Sequence, residues 1–367
     1  DNKNNKRIPT SFDFELCVDP KLSIPRLLLN DEILTALKNA YSSESMLSTP
    51  LGESHLATGR MNEFIKIIKK CLDNKILGKK FLEIGCGNGG LLNEIHKKGG
   101  KVIGLEIGPQ GIAAKEKYGL EIKNKSIEEF STEVKFDCIY SYGCLEHIID
   151  IESLFNSCRN LLKEGGLFLH SVPNIDISIK NGLIDQLVHE HINYFSPENS
   201  LPLLQSQGFI KGGCQLSNAK NEMAIWGYYD RRTIISFPSF RYQEEKEKIE
   251  KFKRLIDKKT KVIVESINKM IKNKKTIGFY AGGFEYAELL KIKNIRYFDG
   301  DDFKVGKSWI LNNPIIESPV NLLKNPLDCL IIFKSHYFEP IKNYLLKLGV
   351  TENCIIDVKE IENYLEL

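Results

Sequence analysis

A glycine-rich turn is the first segment of this sequence whose residue types and spacing suit chemistry. Residues 83–90 read EIGCGNGG. Glycines let the backbone turn tightly and let a ligand lie against the main chain, while the N-terminus of a following helix offers unbonded N–H groups. The glycines at 85, 87 and 90 also match the GxGxxG dinucleotide fingerprint. The turn therefore predicts a cofactor site but does not choose the cofactor.

Two acids accompany this turn. Glu83 stands two residues before the first glycine, and Glu106 stands at the end of the next predicted strand. An acid at that position holds the ribose hydroxyls of a bound nucleotide. We therefore expect Glu106 to contact the cofactor ribose. The alternative is that Glu106 is a surface acid and that the glycines form a plain tight turn.

A second segment suited to chemistry is residues 184–196, IDQLVHEHINYFS. Histidine titrates near neutrality, so it can accept a proton from a hydroxyl or from a carbon beside a carbonyl. We predict that His191 is the base and that the neighbouring Glu190 orients its ring. A histidine pair without a further ligand cluster is weak evidence for zinc, so no metal is expected. The alternative is that His191 and Tyr194 only anchor the loop.

The elements that position these residues alternate along the chain. Helical patterns are predicted over residues 31–41 and 61–72, and a strand–helix alternation begins at residue 80. The predicted strands are 81–84, 101–106, 136–140 and 166–171, and the helices between them are 90–98, 111–118 and 153–162. This alternation predicts an α/β fold with a parallel sheet covered on both faces.

The change of composition along the chain divides it into four predicted segments. Residues 241–275 hold 13 Lys and Arg and 6 Asp and Glu with an apolar helical stripe, which predicts a solvated connecting helix. A second α/β unit opens at residues 276–280. The predicted boundaries are an N-terminal extension at 1–60, a cofactor-binding domain at 61–230, a charged helical connector at 231–273 and a C-terminal α/β domain at 274–367. Within the extension, the loop 48–60 with His55 and Arg60 is either a lid over the site or a surface connection.

The overall composition excludes several classes of protein. The chain has 367 residues, is 42% hydrophobic and carries a net charge of +3, which argues against disorder and against a nucleic-acid or membrane partner. Its nine cysteines contain no CxxC pair, which predicts free thiols in a cytoplasmic protein. No apolar run is long enough for a transmembrane helix.

Two further segments, read together with the glycine turn, carry a family resemblance. They are FDCIYSYGCLEH at 136–147 and LLKEGGLF at 161–168. Together the three segments resemble the class I S-adenosylmethionine-dependent methyltransferases over about residues 75–230, which implies a Rossmann-like sheet with S-adenosylmethionine as cofactor. A nicotinamide-dependent oxidoreductase is the alternative.

The resemblance also implies a role for individual residues. Glycines 85, 87 and 89 would border the methionine part of the cofactor, with Glu83 reaching toward its ammonium. Glu106 would hold the ribose. Three further positions complete the implied cofactor site: Ser126 and Ile127 beside the adenine, and Tyr142 with Gly143 beneath the sulfonium.

The second resemblance is to the nucleotide-sugar C-methyltransferases. In that family a Glu-His pair and a histidine after the fourth strand lie beside the sugar, and the matching positions are Glu190, His191 and His147. The family's Rossmann-like C-terminal domain matches four segments of this chain: 278–283, 297–306, 314–315 and 327–332. The resemblance thus implies a second, smaller Rossmann-like domain and a nucleotide-linked sugar as the acceptor, hence a role in sugar modification.

Three departures from that family bear on the atom that is methylated. The paired cysteines of its N-terminal zinc module are missing, Val188 replaces a tyrosine, and residues 218–222 replace a His-Gly-Gly-Ser stretch. C- and O-methylation therefore both stay open. We expect His191 to be the base and His147 to be the second choice. A non-catalytic module that binds a nucleotide sugar is the remaining alternative.

Overall fold

The computed structural model describes residues 14–42, 51–188, 190–218, 220–292, 295–308 and 314–364. The chain divides into two compact units. The first consists of Asp1–Ile175 with Val188–Ile249, and the second of Asp176–Leu187 with Glu250–Leu367. Residues 231–273, predicted as a connector, are therefore shared between the two units.

The first unit is built on a seven-stranded sheet. A short antiparallel ribbon, β1 (Leu16–Val18) with β2 (Pro25–Leu27), precedes it. The strands of the seven-stranded sheet are β3 (Lys80–Ile84), β4 (Lys101–Leu105), β5 (Ile122–Lys123), β6 (Phe136–Tyr142), β7 (Leu162–Pro173), β8 (Phe209–Leu216) and β9 (Glu222–Tyr229). The order is β5-β4-β3-β6-β7-β9-β8, and only β9 runs antiparallel to its neighbours. This confirms the predicted class I methyltransferase fold, and its chain order reverses between β3 and β6, where parallel sheets bind ligands.

The described residues between 31 and 206 form seven helices, and the sixth belongs to the second unit from its second residue onward. They are α1 (Asp31–Ser42), α2 (His55–Cys71), α3 (Gly90–Lys97), α4 (Gln110–Tyr118), α5 (Ile151–Leu161), α6 (Ile175–Asn181) and α7 (Pro197–Ser206). The central strands β3 and β6 are buried on both faces, as predicted. On β3, for example, Leu82 packs into one apolar cluster and Phe81 into another, and neither is exposed.

The start of α2 differs from the prediction. The Ser54 side chain accepts a hydrogen bond from the Ala57 N–H at 3.2 Å, and this N-cap starts the helix at His55. His55 and Arg60, predicted in a lid loop, therefore lie in a helix. The rest of that predicted loop before residue 51 lies outside the described residues.

Strand β7 also starts earlier than predicted. It begins at Leu162, directly after α5, and its pairing with β6 shifts register between Phe136 and Cys138. Residues 163–165 are exposed at this irregularity. Two charged residues and a glycine in that stretch hid the start of the strand, because they interrupt the apolar pattern on which the prediction relied.

The second unit has a parallel sheet of its own. Its strands are β10 (Ile277–Tyr280), β11 (Arg296–Phe298), β12 (Ile316–Glu317), β13 (Cys329–Ile332) and β14 (Ile355–Asp357), in the order β12-β11-β10-β13-β14. Its helices are α9 (Phe284–Leu289), α10 (Asn321–Lys324) and α11 (Phe338–Leu348), while α8 (Tyr242–Lys272) begins in the first unit. The later part of α8 contributes Ile263, Ile267 and Met270 to the core of the second unit, so the charged helix is anchored along one face.

The cysteines and the hydropathy of the helices bear on two further predictions. All nine cysteines lie in the described ranges and are unpaired, as predicted. In those same ranges no helix is both long and apolar enough to cross a membrane.

We predict that Gly104→Ala destabilises the first unit. A Cβ at Gly104 on β4 would lie 2.7 Å from Cys86 Sγ and 2.8 Å from Leu92 Cδ2, both in buried side chains. Overpacking of this kind costs about 1–3 kcal/mol of the free energy of unfolding, measured by urea denaturation. The control is Gly59→Ala on α2, where a Cβ meets no atom within 4 Å. Unchanged stability of Gly104→Ala would contradict the packing.

Candidate functional site

The glycine turn joins β3 to α3 in left-handed backbone conformations. The φ angles are +66° at Gly85, +50° at Gly87 and +71° at Gly89, where side chains are strained. At Gly85 space is also restricted, because a Cβ there would lie 2.9 Å from Cys144 Sγ. The turn is therefore in contact with the loop that follows β6.

Glu106 lies directly after β4 and faces this turn. Its Oε2 accepts a hydrogen bond from the Gly87 N–H at 2.8 Å, and its Oε1 accepts one from the Gly108 N–H at 2.7 Å. Burial raises the pKa of Glu106, while these two backbone donors act in the opposite direction. Each carboxylate oxygen has a second lone pair, so the group can still accept ribose hydroxyls.

Glu83 is more deeply buried than the sequence suggested. It is 2% exposed and accepts a hydrogen bond from the Tyr140 hydroxyl at 3.0 Å. Burial raises the pKa of Glu83 well above its usual range, and the charge of Glu106 adds to this. A cation such as an ammonium group would favour ionisation of Glu83, so the predicted contact with the cofactor stays a prediction.

The other predicted cofactor residues surround the same strand ends. The Ser126 N–H donates to Glu129 Oε2 at 3.2 Å, and Ile127 is buried in the core. Tyr142 is the last residue of β6, and the following Gly143 has a φ of +62°. Whether these four residues line adenine and sulfonium, as the resemblance implies, stays a prediction.

The structure brings the segment that contains residues 189–191 (His-Glu-His, here the HEH segment) to the loop after β6. The N–H groups of Ile192 and Asn193 both donate to the Glu146 carbonyl, at 2.7 and 2.9 Å. The Asn193 side chain donates to the carbonyls of Leu145 and Ile148, at 3.0 and 2.7 Å. Segments about 45 residues apart in sequence are thereby fixed side by side.

This pairing brings the two predicted histidines together. The rings of His147 and His191 have centroids 5.1 Å apart. His147 Nδ1 lies 2.8 Å from the Glu190 carbonyl, which can only accept a hydrogen bond, so Nδ1 carries the hydrogen. In the neutral ring the basic lone pair then lies on Nε2. This hydrogen bond uses the backbone carbonyl of Glu190, and orientation of His191 by the Glu190 carboxylate stays a prediction.

Glu146 is a residue of the site that the sequence analysis missed. It is 3% exposed, and its Oε1 lies 3.8 Å from His147 Nε2. Burial raises its pKa to about 8, and the negative charge of Glu222 contributes. An acid followed by a histidine at the carboxyl end of a parallel strand was the available signal, because ligands bind at that edge.

These residues also form a cluster able to hold a metal ion. One ligand atom each from Glu146, His147 and His191 lies within 4.8 Å of the others. Two nitrogens and one oxygen form a donor set that zinc accepts. The sequence hid this cluster because its third ligand, His191, comes from another segment. Glu146 is mainly protonated at neutral pH, and a protonated carboxyl binds a cation poorly until it loses its proton.

We predict that Glu146 makes the protein less stable as pH rises. Its pKa moves from 4.5 to about 8 on folding, so between these values the native state binds more protons than the unfolded state. The free energy of unfolding then falls with pH, by at most about 1.4 kcal/mol per pH unit from this group. Urea denaturation at several pH values should show a smaller fall in Glu146→Gln. Parallel curves for variant and wild type would contradict the raised pKa.

Comparisons with known proteins agree with this geometry. A family model described as a methyltransferase domain matches residues 56–210. The ubiquinone biosynthesis O-methyltransferase of Aliivibrio fischeri is 28% identical over 160 residues, which cover 38% of this chain and 68% of that protein. The human mitochondrial enzyme of the same name is 28% identical over 154 residues, which cover 36% of this chain and 42% of that protein.

Solved structures are similar at low identity. The magnesium protoporphyrin IX methyltransferase of Synechocystis PCC 6803, solved with S-adenosylhomocysteine, is 13% identical, with a TM-score of 0.42 over 54% of this chain and 100% of that one. The 1,6-didemethyltoxoflavin-N1-methyltransferase of Burkholderia thailandensis is 14% identical, with a TM-score of 0.43 over 60% of this chain and 98% of that one.

The family match chooses between the two cofactors that the glycine turn left open. It spans the turn, Glu106, Tyr142 and the HEH segment, all in the first unit. The nicotinamide alternative is thereby set aside in favour of S-adenosylmethionine. Residues 56–210 of this chain match a methyltransferase domain, and the activity that this match supports is S-adenosylmethionine-dependent methyl transfer.

Proposed function

We propose that this methyltransferase acts on a small polar acceptor and that the acceptor is a nucleotide-linked sugar. The observation that carries methyl transfer to a protic acceptor is the pairing of His147 with His191, and the second unit supports the nucleotide-linked sugar. Cys144, three residues before His147, approaches Gly85 so closely that a Cβ at Gly85 would lie 2.9 Å from its sulfur. Groups able to take a proton therefore lie near the expected cofactor.

The chemistry asked of the protein is limited. The cofactor supplies a sulfonium methyl that is reactive when bound. The chain must hold the acceptor in line with that methyl and accept the proton of the reacting hydroxyl or carbon. His147 Nε2 suits the second task, because Nδ1 donates to the Glu190 carbonyl and keeps the ring in one tautomer. His191, 5.1 Å away between ring centroids, is the other candidate.

The second unit supports a nucleotide-linked acceptor. Its parallel sheet changes order between β10 and β13, the position at which open sheets bind nucleotides. Gly282 and Gly283, with φ angles of +141° and +89°, follow β10 at that edge. No full glycine fingerprint follows them in the sequence, so we propose that this unit serves the acceptor rather than a second tightly bound dinucleotide.

A second candidate is O-methylation of a hydroxyl on an aromatic ring. The names of the relatives favour it, since those proteins are ubiquinone biosynthesis O-methyltransferases. A proton acceptor near neutrality would serve a hydroxyl of either class. Mass spectrometry of the products from a panel of nucleotide sugars and hydroxylated aromatics, each with S-adenosylmethionine, separates the two. Methylated sugar supports the first proposal, and methylated aromatic alone overturns it.

We predict that Glu106→Ala weakens binding of S-adenosylhomocysteine. Losing a charge-assisted hydrogen bond to the ribose costs about 1.5–3 kcal/mol, or roughly ten- to a hundred-fold in affinity. Isothermal titration calorimetry measures this. Glu121→Ala is the control, because Glu121 is an exposed acid just before β5 whose side chain pairs with Lys123. Equal affinity of Glu106→Ala and wild type would remove Glu106 from the cofactor site.

We predict that a histidine of the pair is the base. His191→Asn or His147→Asn should lower turnover by about 10²–10⁴-fold and leave cofactor affinity nearly unchanged. Turnover of the wild type should fall at acidic pH, with an apparent pKa that the inactive variant lacks. The two variants are measured in parallel on the acceptor found in the panel. Near-normal turnover in both would rule out the histidine base.

A further inference from the structure

A polar pocket lies at the carboxyl ends of β6 and β7, beside the residues described so far. It holds a cavity of only about 20 Å³ and is partly open to solvent. Tyr142 and Ser171 line it from those strand ends, Arg60 from α2 and Glu222 from the start of β9. Of these, the sequence analysis assigned a site role only to Tyr142.

Glu222 connects three elements of this pocket. Its Oε2 accepts a hydrogen bond from the Tyr142 hydroxyl, and its Oε1 lies 3.3 Å from Arg60 Nη1. The carboxylate is 20% exposed and the arginine side chain 27%, so this ion pair is partly shielded from solvent. A carboxylate with a phenol on one oxygen and a guanidinium on the other is held in one orientation.

Tyr142 needs such a partner because its strand ends there. The next residue, Gly143, has a φ of +62°, so the backbone leaves the extended conformation directly after the ring. On one side the ring meets Phe64 of α2 edge to face, with centroids 5.2 Å apart. Burial and the charge of Glu222 raise the pKa of Tyr142, which keeps its hydroxyl a donor. That hydroxyl is bound to Glu222, so the ring serves the site as a wall.

We propose that Glu222 is a positioning residue, which with Arg60 fixes the Tyr142 ring at the sulfonium end of the cofactor site. The proposal rests on the proposed function, since it takes Tyr142 as the floor beneath the sulfonium. Helix α2 contributes to this arrangement through two residues, because Arg60 pairs with Glu222 and Phe64 packs against the Tyr142 ring. A ring that is fixed before binding costs the cofactor less free energy to order.

The test measures affinity for S-adenosylhomocysteine by calorimetry, which needs no acceptor. Tyr142→Phe keeps the ring and removes only the hydroxyl, and Glu222→Ala removes its partner. Each should weaken binding about three- to ten-fold because the ring is no longer pre-organised. The double variant should bind no more weakly than either single variant, since both remove one interaction. Glu222→Gln, whose amide oxygen can still accept from Tyr142, should recover part of the loss.

The control is Glu152→Ala, which breaks the exposed ion pair with Lys21 in the same unit and should leave affinity unchanged. Unchanged affinity in Tyr142→Phe would overturn the proposal, and so would additive losses in the double variant. A loss confined to the Glu222 variants would also overturn it, because Glu222 would then act without Tyr142. Turnover of the His147 and His191 variants is measured separately. Normal turnover in those variants would rule out the proposed base, whereas the affinities for S-adenosylhomocysteine would still test the role of Glu222.

Discussion

The site depends on a set of hydrogen bonds that joins the HEH segment to the loop after β6. The Glu146 carbonyl accepts two backbone N–H groups from Ile192 and Asn193, and the Asn193 amide donates to two carbonyls of the same loop. Asn193 is 1% exposed, so these bonds form away from water. Losing one there would leave a buried polar group unpaired, which costs about 1–3 kcal/mol. The geometry of the histidine pair follows from this constraint.

A second constraint is the number of acids buried close to the cofactor turn. Glu83, Glu106 and Glu146 are all nearly inaccessible to solvent, and burial raises the pKa of each. Glu83 and Glu106 also disfavour each other's charge, since the Glu106 charge contributes to the raised pKa of Glu83. S-adenosylmethionine brings an ammonium and a sulfonium, so its charge complements a site that is costly to ionise when unliganded.

The sequence was sufficient for the parts of the molecule that local rules decide. Apolar runs between glycine turns predicted β3, β4, β6 and most of β7, and the acid after β4 was placed correctly at the strand end facing the turn. Contacts between segments that are distant in the sequence could not be predicted from the sequence. Nothing local indicated that Glu146 meets His191, or that Glu222 accepts from Tyr142 some 80 residues away. Helix α2 shows a local failure, since the cap at Ser54 was overlooked among turn-forming residues.

The order of the strands explains why those distant residues meet. Because β3, β6 and β7 are parallel neighbours, the segments after them leave the sheet at one edge. The antiparallel strand β9 starts at that same edge, which places Glu222 opposite the ends of β6 and β7. Tyr142, Glu146 and His147 follow β6 within five residues of one another. One strand end thus carries Tyr142, the buried acid Glu146 and His147, and Cys144 of the same loop lies against Gly85 of the glycine turn.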